Sequence, residues 1–144
     1  MNVSMEFARK MLLAYGSRCQ SLCQNLRMPQ TAFDILMFLA NNPNYNTARD
    51  IVEIRGIKAN LVSVNVNKLV QEGYLERQPV AGDRRKIRLA ATPKAQPIIE
   101  QGRTLQNSFL KDIFSDVDEQ AREEFSRTVK TIQKNLDRMI EEGE

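Results

Sequence analysis

Two clusters of side chains in this chain could do chemistry together. Asn60, Ser63, Val64 and Asn67 recur within a helix-forming run, with Lys68 on its flank and Lys58 just before it. At 100° per residue they lie opposite Val62, Val66 and Leu69. Amides can make paired hydrogen bonds to adenine edges, a serine hydroxyl serves either base type, and a valine methyl can touch a thymine methyl. Further along stands Asp83-Arg84-Arg85-Lys86, whose cations suit phosphates or the negative potential of a narrow A·T-rich groove. A solvated helix face and a charged loop are the ordinary alternative. Such faces favour Glu and Lys, however, and this one is amide-rich and nearly free of acid.

Other chemistries find little support. The chain has no histidine, which removes His-based general base catalysis and leaves no imidazole ligand for a regulatory zinc or copper site. There is no glycine-rich phosphate loop. Asp112, Asp116 and Asp118 surround a turn and read better as helix caps than as metal ligands. No catalytic residue, metal or cofactor is expected, and the chain reads as a non-enzyme.

The elements that must hold the two clusters run from Thr47 to Thr92. Thr47 and Asp50 have capping-box spacing at the start of a short helix with Ala48, Ile51 and Val52 on its apolar side. Gly56 breaks that helix in a tight turn. A second helix spans roughly 59–72 and ends at Gly73, a position that suits a left-handed residue. Two β-prone runs, Tyr74–Pro79 and Lys86–Ala91, flank a polar turn over residues 80–85 and predict a hairpin.

This stretch resembles the MarR family of winged helix-turn-helix transcriptional regulators. The matching residues are Leu69-x-x-x-Gly73-Tyr74-Leu75-x-Arg77, then Asp83-Arg84-Arg85, then Leu89-x-x-Thr92. Ala95, Lys58, Val64 and Asn65 depart from the family pattern, at positions that usually hold glycine, serine, arginine and an apolar residue respectively. The resemblance implies a mainly α fold with a small β-hairpin wing (α+β), in one domain over residues 1–144. The winged DNA-binding module would occupy residues 30–92, and helices in 1–28 and 96–144 would dimerise. It implies a sequence-specific DNA-binding regulator, a dimeric repressor released by a small lipophilic or aromatic effector. The DNA-binding residues would be Lys58, Asn60, Ser63, Val64, Asn67, Lys68, Asp83, Arg84, Arg85 and Lys86. Following the family pattern, Asp83 orients one arginine by an ion pair and leaves the other for the groove. Two-fold symmetry would match a pseudo-palindromic duplex with half-sites about one helical turn apart. A winged-helix protein-interaction module that does not bind DNA is the alternative, against which Arg84, Arg85, Lys86 and Arg88 weigh.

The flanks are helical by pattern. Phe7, Met11, Tyr15, Cys19, Leu22 and Leu26 recur every three or four residues, so a helix is expected over 4–26. Pro29 can open the next helix, whose inner stripe is Phe33, Leu36, Met37 and Ala40. Thr92-Pro93 look like a cap and first turn, and Pro97 marks either a helix start or a kink. The last helix carries Phe125, Val129, Ile132 and Leu136 in a narrow seam like that of a coiled coil. That seam and Phe7, Met11 and Tyr15 are assigned to a homodimer; internal packing is the alternative.

Cys19 and Cys23 are four apart on one helix face. They read either as small buried hydrophobes or, if a nearby cation lowers a pKa, as a thiol sensor. Two cysteines make no disulfide framework. With 42% hydrophobic and 27% charged residues, the composition is globular. No apolar run approaches ~18 residues, so no membrane span is expected. Glu6, Arg9 and Lys10 precede any long apolar stretch, so no secretory signal is expected either, and the cytoplasm is the expected compartment. Charge is uneven: residues 45–95 hold ten Lys/Arg against five Asp/Glu, and residues 96–144 hold seven against eleven. A basic middle and an acidic end suit a nucleic-acid face and a partner face.

Overall fold

Helix α2 (Gln30–Asn41) is apolar on nearly every side, so it must be surrounded. In the computed structural model, which describes residues 4–143, Ala32, Phe33 and the run Ile35–Leu39 are all buried. One core gathers round them, drawing Cys19 and Cys23 from α1 (Met5–Leu26) and Val62, Val66 and Leu69 from α4 (Ala59–Gln71). Leu75 of β1 (Leu75–Val80), Leu89 of β2 (Asp83–Ala91), and Ile98 and Ile99 of α5 (Gln96–Ile113) complete it. Two compact units divide at Phe109/Leu110. No helix of the described residues is long and apolar enough to cross a membrane.

Local chemistry explains most boundaries. The Ser4 hydroxyl accepts from the Phe7 N–H at 3.1 Å and starts α1. Pro29 stands at the N-cap of α2 rather than inside its first turn; its missing N–H is harmless at either place. The capping box at α3 (Ala48–Asp50) is closed in both directions, each bond 3.1 Å. Beyond Asp50 the helix widens into a π turn, Ile51–Arg55, closed by the Gly56 N–H on the Ile51 carbonyl at 3.1 Å. Helix α4 stops at Gly73, φ +83°, with the Tyr74 N–H on the Leu69 carbonyl at 2.9 Å and the Gly73 N–H on that of Val70 at 3.1 Å. This is the paired bonding of a left-handed helix end. Lys94 then clamps the helix end: its Nζ donates to the Glu72 carbonyl at 2.6 Å and lies 4.7 Å over the Tyr74 ring.

The hairpin is longer than its propensities suggest. Antiparallel pairing runs from Leu75↔Ala91 to Pro79↔Ile87, then jumps to Val80↔Asp83. The turn therefore shrinks to Ala81-Gly82, and Arg84, Arg85 and Lys86 form a bulge in β2. At its root, the Leu89 N–H donates to the Asn46 carbonyl at 2.7 Å, tying β2 to the loop before α3.

Thr92 does not cap a helix with its side chain. Its hydroxyl donates instead to the Gly73 carbonyl. A 3-10 turn, Pro93–Ala95, intervenes, and Pro97 falls in the first turn of α5, where no backbone bond is lost. Gly102 lets α5 approach α2: an added Cβ would overlap the Met37 thioether and lie 3.1 Å from the Phe33 ring.

In the second unit, Asp118 accepts from the Ala121 N–H at 2.8 Å and caps α6 (Glu119–Gly143). Arg122 donates to the Val117 carbonyl at 3.0 Å and the Phe114 carbonyl at 2.9 Å, and the Phe114 and Phe125 rings meet edge-on at 5.8 Å. No residue of α6 is buried within the chain.

Two outcomes test this account. Gly102→Ala should lower stability by about 1 kcal/mol in urea unfolding, because overpacking outweighs the helix-propensity gain; a stabilised variant would contradict the close approach. Asp34 sits 3.5 Å from Arg55, and burial pushes its carboxyl up more than the guanidinium holds it down. A folded pKa above the unfolded one adds stability at low pH that is lost as pH rises through the folded value. Asp34→Asn should therefore gain on the parent protein between about pH 4 and about pH 7.

Candidate nucleic-acid interface

Helix α4 divides as its periodicity requires. Val62, Val66 and Leu69 are buried, and Lys58, Asn60, Ser63, Val64, Asn67 and Lys68 are exposed. Val64 keeps 64% of its surface open, an expense for a methyl-bearing side chain unless something covers it. Asn65 is buried, and its amide donates to the Leu61 carbonyl at 2.8 Å. Satisfied by its own helix, it costs the core little.

The hairpin lies beside this helix. Arg77 of β1 donates to the Asn67 amide oxygen. A groove of about 300 Å³ lies between α4 and the hairpin, with Ser63, Asn67, Arg77 and Ile87 on its walls. A second, of about 410 Å³, shares Arg49 and Ile87 and adds Asp83, Arg85 and Lys86. The two grooves join the helix face to the bulge along one surface. Arg49 and Arg77 are cations on that surface to which the sequence reading assigned no role. Both had signals: Arg49 stands in the first turn of the capped helix, and Arg77 in the motif after Gly73.

Arg84, Arg85 and Lys86 are exposed at the tip. Asp83 departs from its expected role. Its carboxylate accepts the Arg85 backbone N–H at 3.0 Å, and among the described residues no ion pair to an arginine is formed. A short acidic side chain at a turn bonds the backbone two residues on more readily than it reaches a long guanidinium. Arg88 donates to Gln78 Oε1 through Nε at 3.2 Å and Nη2 at 2.8 Å, so it braces the strands.

The thiols are in the wrong surroundings for a sensor. Cys19 has 0% exposure. Burial pushes both upward, Cys23 to about 11, and the Tyr15 hydroxyl only partly offsets this at Cys19. A reactive thiol needs the opposite shift.

The expected dimer residues separate. Phe7 is 57% exposed, and Phe125, Ile132 and Leu136 are 52%, 41% and 50% exposed. Met11 and Val129 are half-buried. Tyr15 is already used within its own chain: its ring meets Phe109 at 5.3 Å and its hydroxyl accepts from Gln106 at 3.0 Å. Burial raises that hydroxyl to about 12. A cavity of about 160 Å³ opens beside it, with Asp34, Asn41, Arg55 and Gln106 in its wall.

Comparison with known proteins agrees with this geometry. A sequence model described as the MarR family matches residues 28–86. No curated protein matches the chain. Among solved structures, a MarR transcriptional regulator from Methanosarcina mazei is 20% identical with a TM-score of 0.71, over 93% of this chain and 99% of that one. A MarR-family protein from Listeria monocytogenes, complexed with 26mer DNA, is 14% identical with a TM-score of 0.80, over 94% and 90%. BpsR of Bordetella bronchiseptica, whose DNA binding is regulated by 6-hydroxynicotinic acid, is 16% identical with a TM-score of 0.67, over 89% and 96%. At such identities the likeness to these structures is one of fold. The chain carries a winged helix-turn-helix module of the MarR family, built into the fold of that family's transcriptional regulators.

Proposed function

We propose that this protein is a homodimeric, sequence-specific DNA-binding repressor. The observation that carries the reading is the single surface formed by the amide face of α4, Arg77, Arg49 and the basic bulge. Helix α4 enters the major groove, where Asn60, Ser63, Val64 and Asn67 meet base edges. Lys58 and Lys68 meet phosphates, and Arg84 or Arg85 enters the adjoining minor groove. The complex of the Listeria relative with DNA supports this use of the fold.

Two copies are needed because two apolar surfaces are uncovered. On α1 the stripe that buries Cys19 and Cys23 continues to Leu12, 73% exposed, and Met5, 89% exposed. On α6 the seam residues Phe125, Ile132 and Leu136 are half-exposed. Contiguous apolar faces of this kind mark an interface. A second copy presents the same faces and supplies the second half-site reader. Regulation by a small aromatic ligand fits the cavity beside Tyr15, where Gln106 offers an amide and an acid would compete with Asp34 for Arg55; the control of the Bordetella relative by 6-hydroxynicotinic acid supports it. Such a ligand would alter the distance between the two α4 helices and break their match to fixed half-sites.

Affinity should fall steeply with salt. A dimer neutralising ~8 phosphates gives a slope of log K against log salt of about −7. Arg84→Ala and Arg85→Ala should each cost about 1–3 kcal/mol of binding in fluorescence anisotropy, with folding unchanged. A slope shallower than about −3 would mean that helix and wing do not both engage. Leu136→Glu should convert a sedimenting dimer to monomer and abolish operator binding; a soluble wild-type monomer at micromolar concentration would overturn the dimer.

A further inference from the structure

We propose that Arg77 sets which base Asn67 can read. The proposal rests on the reading of α4 as the base-contacting helix. Arg77 stands on β1, opposite Leu89, and its Nη2 donates to Asn67 Oδ1 on the outer face of α4. Both side chains are exposed, so the contact lies on the surface offered to DNA.

The chemistry follows from the donor inventory. A guanidinium has N–H donors and no acceptor. The Asn67 amide must therefore turn its oxygen toward Arg77, and its NH2 group is what remains to face outward. A free asparagine pairs with adenine in two ways at once, donating to N7 and accepting from N6. Arg77 takes one of the oxygen's two lone pairs, and its cationic N–H groups beside that oxygen repel a second donor such as adenine N6, so the accepting half of that pair is disfavoured. What is left is a donor, and the edges that satisfy donors are guanine, with acceptors at N7 and O6, and thymine, with O4. The bond is charge-assisted, which polarises the amide and strengthens its NH2 as a donor. Arg77 is thus a positioning residue: it reads no base itself but converts an adenine reader into a reader of acceptor edges. It also couples hairpin to helix at the point where both meet the duplex.

Selection of bound sites from a random DNA pool, using the full chain, tests this. The wild-type motif should contain a position that Asn67→Ala flattens, and the preferred base there should be guanine or thymine. Arg77→Ala should shift that same position toward adenine, changing the ratio of adenine to guanine sites by about tenfold, the size of one amide contact. Arg77→Lys retains a donor for Oδ1 and should restore the wild-type preference, which separates positioning from folding. Adenine at the Asn67-dependent position of the wild-type motif would overturn the proposal and leave DNA reading by α4 intact. So would an Arg77→Ala protein that loses affinity equally on all sequences with an unchanged motif, or an Asn67→Ala protein with the wild-type motif. Failure of the wild-type protein to enrich any sequence would instead remove the DNA-binding reading, and this proposal with it.

Discussion

Everything in the first unit depends on α2 having almost no face it can show to water. Phe33, Ile35, Leu36 and Met37 point in different directions round the helix and all are buried. Elements on several sides must therefore close over it, and the side chains that do so set the pose of each one. Val62, Val66 and Leu69 commit three positions of α4 to this core. That commitment turns Asn60, Ser63, Val64 and Asn67 outward. The proposed reading face is thus a by-product of burial: a polar face is aimed because the opposite face is trapped. Large-to-small changes at α2 cost about 2–5 kcal/mol in comparable cores, and here they would also loosen the aim of α4.

A second layer of polar bonds converts approximate packing into position. The capping box at Thr47 and Asp50, the Gly73 helix end, and the Lys94 clamp on Glu72 and Tyr74 each fix one end of an element near the reading surface. Each such bond contributes only about 1 kcal/mol. Their worth is geometric, because the proposed hydrogen bonds to base edges would tolerate little misplacement. The core decides that a helix lies there, and the caps decide where it starts and stops.

Most of this order was legible in the chain. The α1 stripe, the capping box, both helices of the reading unit, the hairpin and the glycine helix end follow from spacing and residue type. What escaped is what depends on side chains meeting across distance in sequence. Arg84 and Arg85 read as turn because they follow Gly82-Asp83, yet the hairpin enforces strand geometry on either side of them. The family pattern gives Asp83 an arginine partner, but its carboxylate takes the backbone N–H two residues on. Thr92 has cap spacing, but the Gly73 carbonyl, far back in the chain, captures its hydroxyl. Tyr15 belongs to the striped face by period; only the fold shows that Phe109 and Gln106 have already claimed it. The link between Arg77 and Asn67 has no local signature at all.

The bond from the Leu89 N–H to the Asn46 carbonyl helps to give the hairpin the mechanics of a cantilever. Its root is held by the loop before α3, by Leu75 and Leu89 in the core and by the bond from Arg77 to Asn67, while residues 84–86 leave the ladder with the partner strand. Bending is therefore confined to the outer stretch, where Arg84 and Arg85 project. Conformational freedom surrendered on docking is limited to those few residues, since the root is already ordered. In the proposed complex the tip can adapt to grooves of different width, and force on it reaches the helix-turn-helix through the root, by way of the Asn46 and Asn67 contacts.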